Sequence, residues 1–493
     1  MKYLYFLITF LILVPLSTSS VSAVQLSGIS ATASNQYTTN SPNNVLDGNV
    51  DTIWNSGQYA PQWISFDLGQ LQNINKIRLG VTQSPNGLTK HTITGGATLD
   101  PVSQVVLGQI YRYTTNYEWI TLTLPEVATN IRYITITTTQ SSSWVGWSEI
   151  EVYSGDNRLP QHLEYFGYYN VDGLSPKSTN YLPEINNMNN SNVSHLVSGD
   201  ESIISDDIKI PQMLTSARQY HHKVIINVVA ILFNGKQLHS DWQTRWQRLQ
   251  NQIKGYEDDV YAFYFDEPMF NRIPKDQFLL ATAKIRQDFP NHALMVIEAY
   301  AAGNKGYDID VSYYANVTDF GFDLYLNRYN TTWDLFSSYF DRFNKKFSNK
   351  KFWLIPDGIA KDTTQILNLG NILNNHYWLA MTTDNVVGIL NFLYPPLKDR
   401  EPEWQFALRD VLLPTSPNYN ASLRNLHEQI GKSIIEKSTP LGTLSCTPST
   451  LTLKTGESGT SVITSSATNI STGWAQLCVS TNNQAQAEVA TLE

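Results

Sequence analysis

The stretch Val260-Tyr-Ala-Phe-Tyr-Phe-Asp266-Glu267-Pro268 constrains this chain more than any other. Six apolar or aromatic residues run without a break and end in two adjacent carboxylates. A continuous apolar run with a polar tip is the pattern of a strand buried on both faces. Pro268 has no N–H to give a neighbouring strand, so the ladder ends there. Asp266 and Glu267 are therefore expected at the C-terminal end of a buried strand. In a barrel of alternating strands and helices, that rim carries the chemistry. A plain turn or cap is the blander reading of the pair, and the six buried residues before it weigh against that.

Seven further runs share the character. They are Glu164 to Asn170, Val193 to Val197, Lys223 to Val229, Ala293 to Tyr300, Asp319 to Tyr325, Lys351 to Ile355 and Val386 to Tyr394. Amphipathic stretches lie between them. In Ser240 to Lys254, for instance, Trp242, Trp246, Leu249 and Ile253 recur at helical spacing. Eight buried strands alternating with helices over residues 160–415 predict an α/β TIM, or (β/α)8, barrel. The rival is a doubly wound open sheet. No glycine-rich fingerprint follows the first strand, and eight strands favour closure.

The strand ends then define one expected site. Its catalytic candidates are Glu267, Asp266, Asp323, Tyr325, Asp357 and Glu298. Its substrate-binding candidates are Tyr168, Tyr169, Asn170, Asn391 and Tyr394, with Tyr300 beside Glu298. Glycosidic cleavage needs an acid to protonate the leaving oxygen and a second group to attack or stabilise the developing cation. Carboxylates and tyrosines gathered at one rim suit that chemistry. Each tyrosine alone reads as packing. Apolar neighbours such as Phe265 and Met269 should hold Glu267 protonated near neutral pH.

This region resembles the (β/α)8 glycoside hydrolases, and two templates remain open. In the large retaining clan the fourth strand ends in Asn-Glu-Pro, with a Glu nucleophile on the seventh. Here the fourth ends in Asp266-Glu267-Pro268 and the seventh in Ile355-Pro-Asp357. In the hexosaminidases of families 20 and 123 an adjacent Asp-Glu ends the fourth strand. That resemblance implies that Asp266 orients the substrate's own 2-acetamido group and Glu267 is the acid/base. Tyr325 or Tyr394 would hold the acetamido oxygen. The reading is thus a glycosidase (an O-glycosyl hydrolase) of retaining β-type or of substrate-assisted N-acetylhexosaminidase type. A non-catalytic lectin or adhesin using the barrel as a scaffold is the rival from a different class.

Residues 24–155 read differently. Short alternating runs such as Trp63 to Leu68, Lys76 to Val81 and Arg132 to Thr137 are separated by turn residues, as in a β-sandwich. Ala31 to Ser34, Asn44 to Trp54, Pro61 to Gly69 and Gly146 to Tyr153 resemble the coagulation factor 5/8 type C, or discoidin, domain. Its bacterial members include the family 32 carbohydrate-binding modules. The resemblance implies a jelly roll whose end loops bind sugar, with Trp144 as the stacking platform and His91 as a polar contact. It also implies a structural Ca²⁺ on Asp47, Asn49, Thr52 and Glu149, where oxygen donors gather around a Gly turn. An ion-free Asx-turn is the plainer reading of that segment.

Met1 to Ala23 has a basic start, a short apolar stretch and a small-residue cleavage pattern, the marks of a secretory signal peptide. No later run is long and apolar enough to span a membrane, so a secreted, periplasmic or extracellular protein is expected. The two Cys, Cys446 and Cys478, are expected to pair as a disulfide in that setting. Residues 416–443 read as a helix and linker, and 444–493 as a small β-rich segment resembling immunoglobulin-like accessory modules. Net charge is -9 with no basic cluster, which argues against nucleic acid. The expected partner is a glycan, the expected state a monomer. Catalysis is expected to need no cofactor, since nucleotide and zinc motifs are missing.

Overall fold

The computed structural model describes residues 23–155, 162–173, 179–196, 209–299, 309–397 and 401–436, and two short strands beyond them. The expected leader falls outside, except for Ala23. The described residues up to Ile435 belong to one compact unit. The second unit contributes the antiparallel strands Leu444–Thr447 and Val462–Ser465. Cys446 lies on the first of these, and Cys478 lies outside the described residues.

The N-terminal part is an antiparallel β-sandwich. Two long strands, Gln62–Val81 and Trp119–Gln140, pair along most of their length and bend where their register shifts. Alternation sorts their side chains: Ile64, Phe66, Ile77 and Leu79 are buried beside their cross-strand partners Ile136, Ile134, Leu122 and Ile120. Strands Gly87–Gly96 and Val105–Thr114 form one end of the sheet.

Eight parallel strands follow and close on themselves. They are β1 (Tyr165–Tyr168), β2 (Val193–Leu196), β3 (Lys223–Asn227), β4 (Val260–Asp266), β5 (Ala293–Ala299), β6 (Asp319–Asp323), β7 (Lys351–Leu354) and β8 (Val386–Asn391). Each pairs with the next, and β8 pairs back to β1. The eight runs read from the sequence are these strands, in order. The helices are α1 (Leu182–Asn186), α2 (Lys209–Gln219), α3 (Val229–Leu232), α4 (Trp242–Ile253), α5 (Lys275–Asp288), α6 (Trp333–Lys346), α7 (Thr363–Met381), α8 (Leu408–Leu412) and α9 (Ala421–Ile435). Among the described residues these helices vary in length. α1 has five residues, and between β5 and β6 the described residues hold only the turn Val311–Tyr314.

The barrel's lower end is filled. Trp353 stacks on Tyr165 at 5.5 Å and meets Tyr261 edge-on at 5.3 Å. Its Nε1 and the Tyr261 hydroxyl both donate to Asp319, at 2.9 and 2.6 Å. A Cβ at Gly388 would stand 2.2 Å from the Trp353 ring, so only glycine leaves room for this plug. With the floor packed, the C-terminal rim is the end left for chemistry.

The sandwich is seated on the barrel's side. Strand Val105–Thr114 lies across α6 and α7, and Trp333 donates to the Tyr111 carbonyl. The Tyr113 N–H donates to Ser337 Oγ at 2.5 Å, and Arg112 donates to the Thr382 carbonyl at 2.9 Å.

Candidate functional site

Strand β4 delivers Asp266 and Glu267 to the rim after a run whose last four residues, Ala262 to Phe265, are fully buried. Glu267 is partly exposed and adopts φ 44°, in the left-handed region that a non-glycine residue occupies at a cost. Two features hold it there. Its N–H donates to the Ile297 carbonyl at 2.9 Å, and the next turn is clamped from β5. Glu298 accepts the N–H groups of Met269 (2.7 Å) and Phe270 (3.2 Å) and the Tyr314 hydroxyl (2.8 Å). Glu298 is thus occupied in shaping the turn after Glu267. Burial pushes its carboxyl up to about 8 while these donors resist the rise. Among the expected catalytic candidates, Glu298 is the one whose two oxygens are both taken by the turn and by Tyr314.

Asp266 points into the barrel mouth. Tyr169 Oη donates to Tyr264 Oη at 2.9 Å, and Tyr264 donates to Asp266. The chain fixes the carboxylate, while burial raises its pKa. Asp323, at the end of β6, is buried at the same mouth, where its charge acts on Glu267. The low-dielectric setting and the crowding of three carboxyls raise Glu267 strongly: burial first, then the charges of Asp323 and Asp266. Asp323 is raised as well, by burial and by Asp266. Two adjacent carboxyls of this kind hold one proton between them near neutrality, with Glu267 as its main seat.

Polar atoms at the rim remain without partners among the described residues. They include Asp323 Oδ1, Asp357 Oδ1 and His195 Nε2. Asp357 accepts the Asn327 N–H at 2.5 Å through its other oxygen, and burial pushes it up to about 7. His195, on β2, accepts the Asn170 N–H at Nδ1 (3.3 Å), which leaves the proton on Nε2. Its ring packs on Tyr169 at 4.1 Å, and burial pushes its pKa down to about 3, so it stays neutral. The sequence reading gave His195 no role. The signal was its alternation with the inward-facing Val193, two residues before it on the same strand. Aromatic rings edge the mouth: Tyr325 stacks on Phe392 at 4.6 Å, and the half-exposed Tyr329 stacks on Tyr325 at 6.3 Å.

Three expected rim contacts face elsewhere. Tyr168 is fully buried on the outer side of β1, where its hydroxyl accepts from Asn190 at 2.9 Å and its ring stacks on His427 of α9. Tyr394 packs beside it against Tyr181. Asn391 donates to the Gly167 carbonyl at 2.9 Å and ties β8 to β1. Alternation explains the first case: Tyr168 and Tyr169 are neighbours in sequence and face opposite ways. Tyr169 and Asn170 stay at the mouth. Tyr300 lies outside the described residues.

In the sandwich, Trp144 is 40% exposed and sits 5.2 Å from the Tyr37 ring. With Tyr59, Asn55, Thr82, Ser84 and Ser143 it lines a cavity of about 270 Å³. An exposed ring beside hydroxyl and amide groups can take a sugar's C–H face. His91 differs from expectation. It is buried, bonds Thr138 at 2.8 Å and packs 4.8 Å from Trp147, and burial drives its pKa down to about 3.

Around Asp47 the oxygens outnumber the protons. The Thr52 hydroxyl lies 2.8 and 3.0 Å from the two Asp47 oxygens, 2.8 Å from the Asn49 carbonyl and 3.4 Å from the Asn44 carbonyl. One hydroxyl proton serves one of these. Glu149 is buried nearby, its carboxyl accepting from Gly48 N–H at 3.1 Å and pushed up to about 7 by burial and by Asp47. Asp47 Oδ1 also accepts the Asn49 N–H at 2.9 Å, and the cluster is made of the hard oxygen donors that a divalent ion takes. Asn49 contributes its carbonyl to this crowd, while its side-chain oxygen accepts the Asp51 N–H at 3.1 Å.

Residues 30–152 match the family model of the F5/8 type C domain. The sandwich is an F5/8 type C domain. Similar solved structures include the family 32 carbohydrate-binding module of C. perfringens NanJ in complex with galactose. It is 22% identical, covers 27% of this chain and 98% of its own, and has a TM-score of 0.24. The corresponding module of AlyQ, in complex with 4,5-unsaturated mannuronic acid, is 26% identical over 26% of this chain and 97% of its own, with a TM-score of 0.23. A fucolectin from striped bass serum is 20% identical over 26% of this chain and 46% of its own, with a TM-score of 0.23. No curated protein matches the chain. The F5/8 type C domain accounts for about a quarter of the residues, and the barrel lies beyond the matched span. Among the described residues no helix is long and apolar enough to cross a membrane.

The raised Glu267 carboxyl has a measurable consequence. The folded protein holds this proton at pH values where the unfolded chain has lost it. Stability therefore falls as pH rises from the unfolded value toward the folded one. Glu267→Gln removes that slope. Thermal unfolding should show a gain in midpoint for the variant at pH 8 that is larger than its gain at pH 4. An equal or smaller gain at pH 8 contradicts the placement of the proton.

Proposed function

We propose that this protein is an exported glycoside hydrolase whose F5/8 type C domain binds a glycan and whose barrel cleaves one, with Glu267 as proton donor. The support for the reading is the Glu267 carboxyl, partly exposed at the mouth of a closed parallel barrel and pushed up to about 9 by burial and by the charges of Asp323 and Asp266. That is the arrangement a leaving glycosidic oxygen requires. Glu267 gives its proton to the leaving oxygen as the C–O bond breaks. Asp266, fixed through Tyr264 and Tyr169, faces the positive charge that grows at the anomeric carbon. Glu267, now a carboxylate, takes a proton from the incoming water or from the hydroxyl that replaces it. Unpartnered Asp323 Oδ1, Asp357 Oδ1 and His195 Nε2 supply acceptors and a donor for sugar hydroxyls.

The position of Asp323 weighs on the mechanism. Asp323 raises the Glu267 carboxyl and so suits a proton-tuning role, and the half-buried Asp266, fixed through Tyr264, suits the orientation of a 2-acetamido group. Glu267→Gln should lower kcat on the chromogenic glycoside that the wild type turns over by about a hundredfold or more. N-acetylated and plain sugars tested side by side separate the substrate-assisted from the retaining reading. Wild-type turnover that survives Glu267→Gln unchanged rejects the assignment. The second reading, a carbohydrate-binding protein without turnover, draws on the family match being confined to residues 30–152. It is the outcome if no glycoside is cleaved.

The oxygen cluster around Asp47 supports a Ca²⁺ held by Asp47, the Asn49 and Asn44 carbonyls, Thr52 and Glu149. The ion would pin the loop to the final strand of the sandwich, with no part in the cleavage. Calcium chloride should raise the unfolding midpoint of the sandwich, and Asp47→Ala should abolish the rise. An equal response in the variant contradicts the site.

A further inference from the structure

The seat of the sandwich on the barrel has a direction. In a parallel barrel each helix runs back against its strands, so α6 begins at the rim and ends at the packed floor. Strand Val105–Thr114 runs down alongside it. Tyr111 meets Trp333, the first residue of α6, and Tyr113 meets Ser337 one turn on. Beyond the strand, Thr115 accepts from Lys345 in the last turn, at 3.2 Å. The neighbouring helix agrees: Gln109 meets Asn374 within α7, while Arg112 reaches Thr382 just past its end.

The sugar-platform loops belong to the lower end of this strand. Gln83 N–H donates to Asn116 Oδ1 at 3.0 Å. Ser143 Oγ donates to Gln83 Oε1 at 3.1 Å, and Ser143 and Trp144 line the cavity with Ser84. The cavity is thereby tied to the level of the barrel floor. Glu267 and Asp323 stand at the opposite end, beyond the start of α6. The 14 residues of α6 alone span about 21 Å.

We propose that the sandwich cavity and the barrel mouth open at opposite ends of one joined body and hold two different glycan chains at once. The module then does not feed its own ligand to the barrel. It fixes the protein to a glycan-bearing surface with the catalytic mouth turned outward, toward a soluble chain or a second surface. The contacts along strand Val105–Thr114 replace the flexible linker that would let one oligosaccharide reach both sites. The inference rests on the glycan-binding and hydrolase readings for its function, and on the contacts alone for its geometry.

Two measurements on the full chain test it. Spin labels at Tyr59→Cys and Tyr329→Cys, with Cys446 and Cys478 replaced by Ser, report the separation of cavity and mouth. A distance above about 25 Å agrees with opposite ends, since α6 alone spans about 21 Å; a shorter one overturns the proposal. The second uses mucin-coated beads and a soluble chromogenic glycoside. Bead-bound protein should keep kcat/KM within twofold of free protein, while Trp144→Ala should lose capture. A tenfold fall on the beads shows that both sites draw on one chain and overturns the proposal. If the beads capture nothing, or no glycoside is cleaved, the binding or hydrolase reading has failed, and the label distance still decides the geometry.

Discussion

Carboxyl groups forced together in a poorly hydrated place are the constraint on which the rest of the barrel depends. Glu267, Asp266 and Asp323 converge at one end of a closed ring of strands, and Glu298 is buried immediately behind them. Isolated, each would shed its proton well below neutral pH. Together and dehydrated they cannot all be charged. The fold answers by giving each a distinct neighbour: Tyr264 for Asp266, two backbone N–H groups and Tyr314 for Glu298, Glu267 for Asp323. What remains is the partly exposed Glu267 carboxyl, pushed up to about 9 by burial and by the charges beside it.

Maintaining that arrangement takes packing remote from it. The Trp353, Tyr165 and Tyr261 plug with Asp319 fills the floor, so the strands close around side chains rather than solvent. The left-handed backbone at Glu267 persists because Ile297 and Glu298 grip both sides of it. The sandwich adds a second constraint from outside. It engages α6 and α7 by side-chain to backbone hydrogen bonds along the end strand of its own sheet, a place where unpaired backbone groups need partners.

Much of this was legible in the chain. Continuous apolar runs marked the barrel strands, because a strand covered on both faces has no polar side to show. Asp266, Glu267, Asp323 and Tyr325 meet at the mouth because strand ends in a closed barrel share one rim. Among the described residues the helical layer is uneven, from the four residues of α3 to the 19 of α7. Side-chain direction was hidden. Tyr168 and Tyr394 lie at strand ends as expected, yet face the helices, and a two-residue aromatic pair such as Tyr168-Tyr169 does not declare which member turns inward. His91 and Asn391 illustrate the same limit: both are polar, and both are satisfied inside the packing. His195 was missed because a lone histidine within an apolar strand looks like core, which by burial it is; its orphaned Nε2 together with its ring contact to Tyr169 sets it apart.

The central claim is that Glu267 owes its proton at neutral pH to burial and to the charge beside it. The pH dependence of kcat/KM for Asp323→Asn against wild type tests this most directly. Removing the neighbouring negative charge should lower the Glu267 pKa, and the alkaline limb of the profile should move to lower pH by about one unit or more. An alkaline limb that stays where it is in the variant would contradict the account.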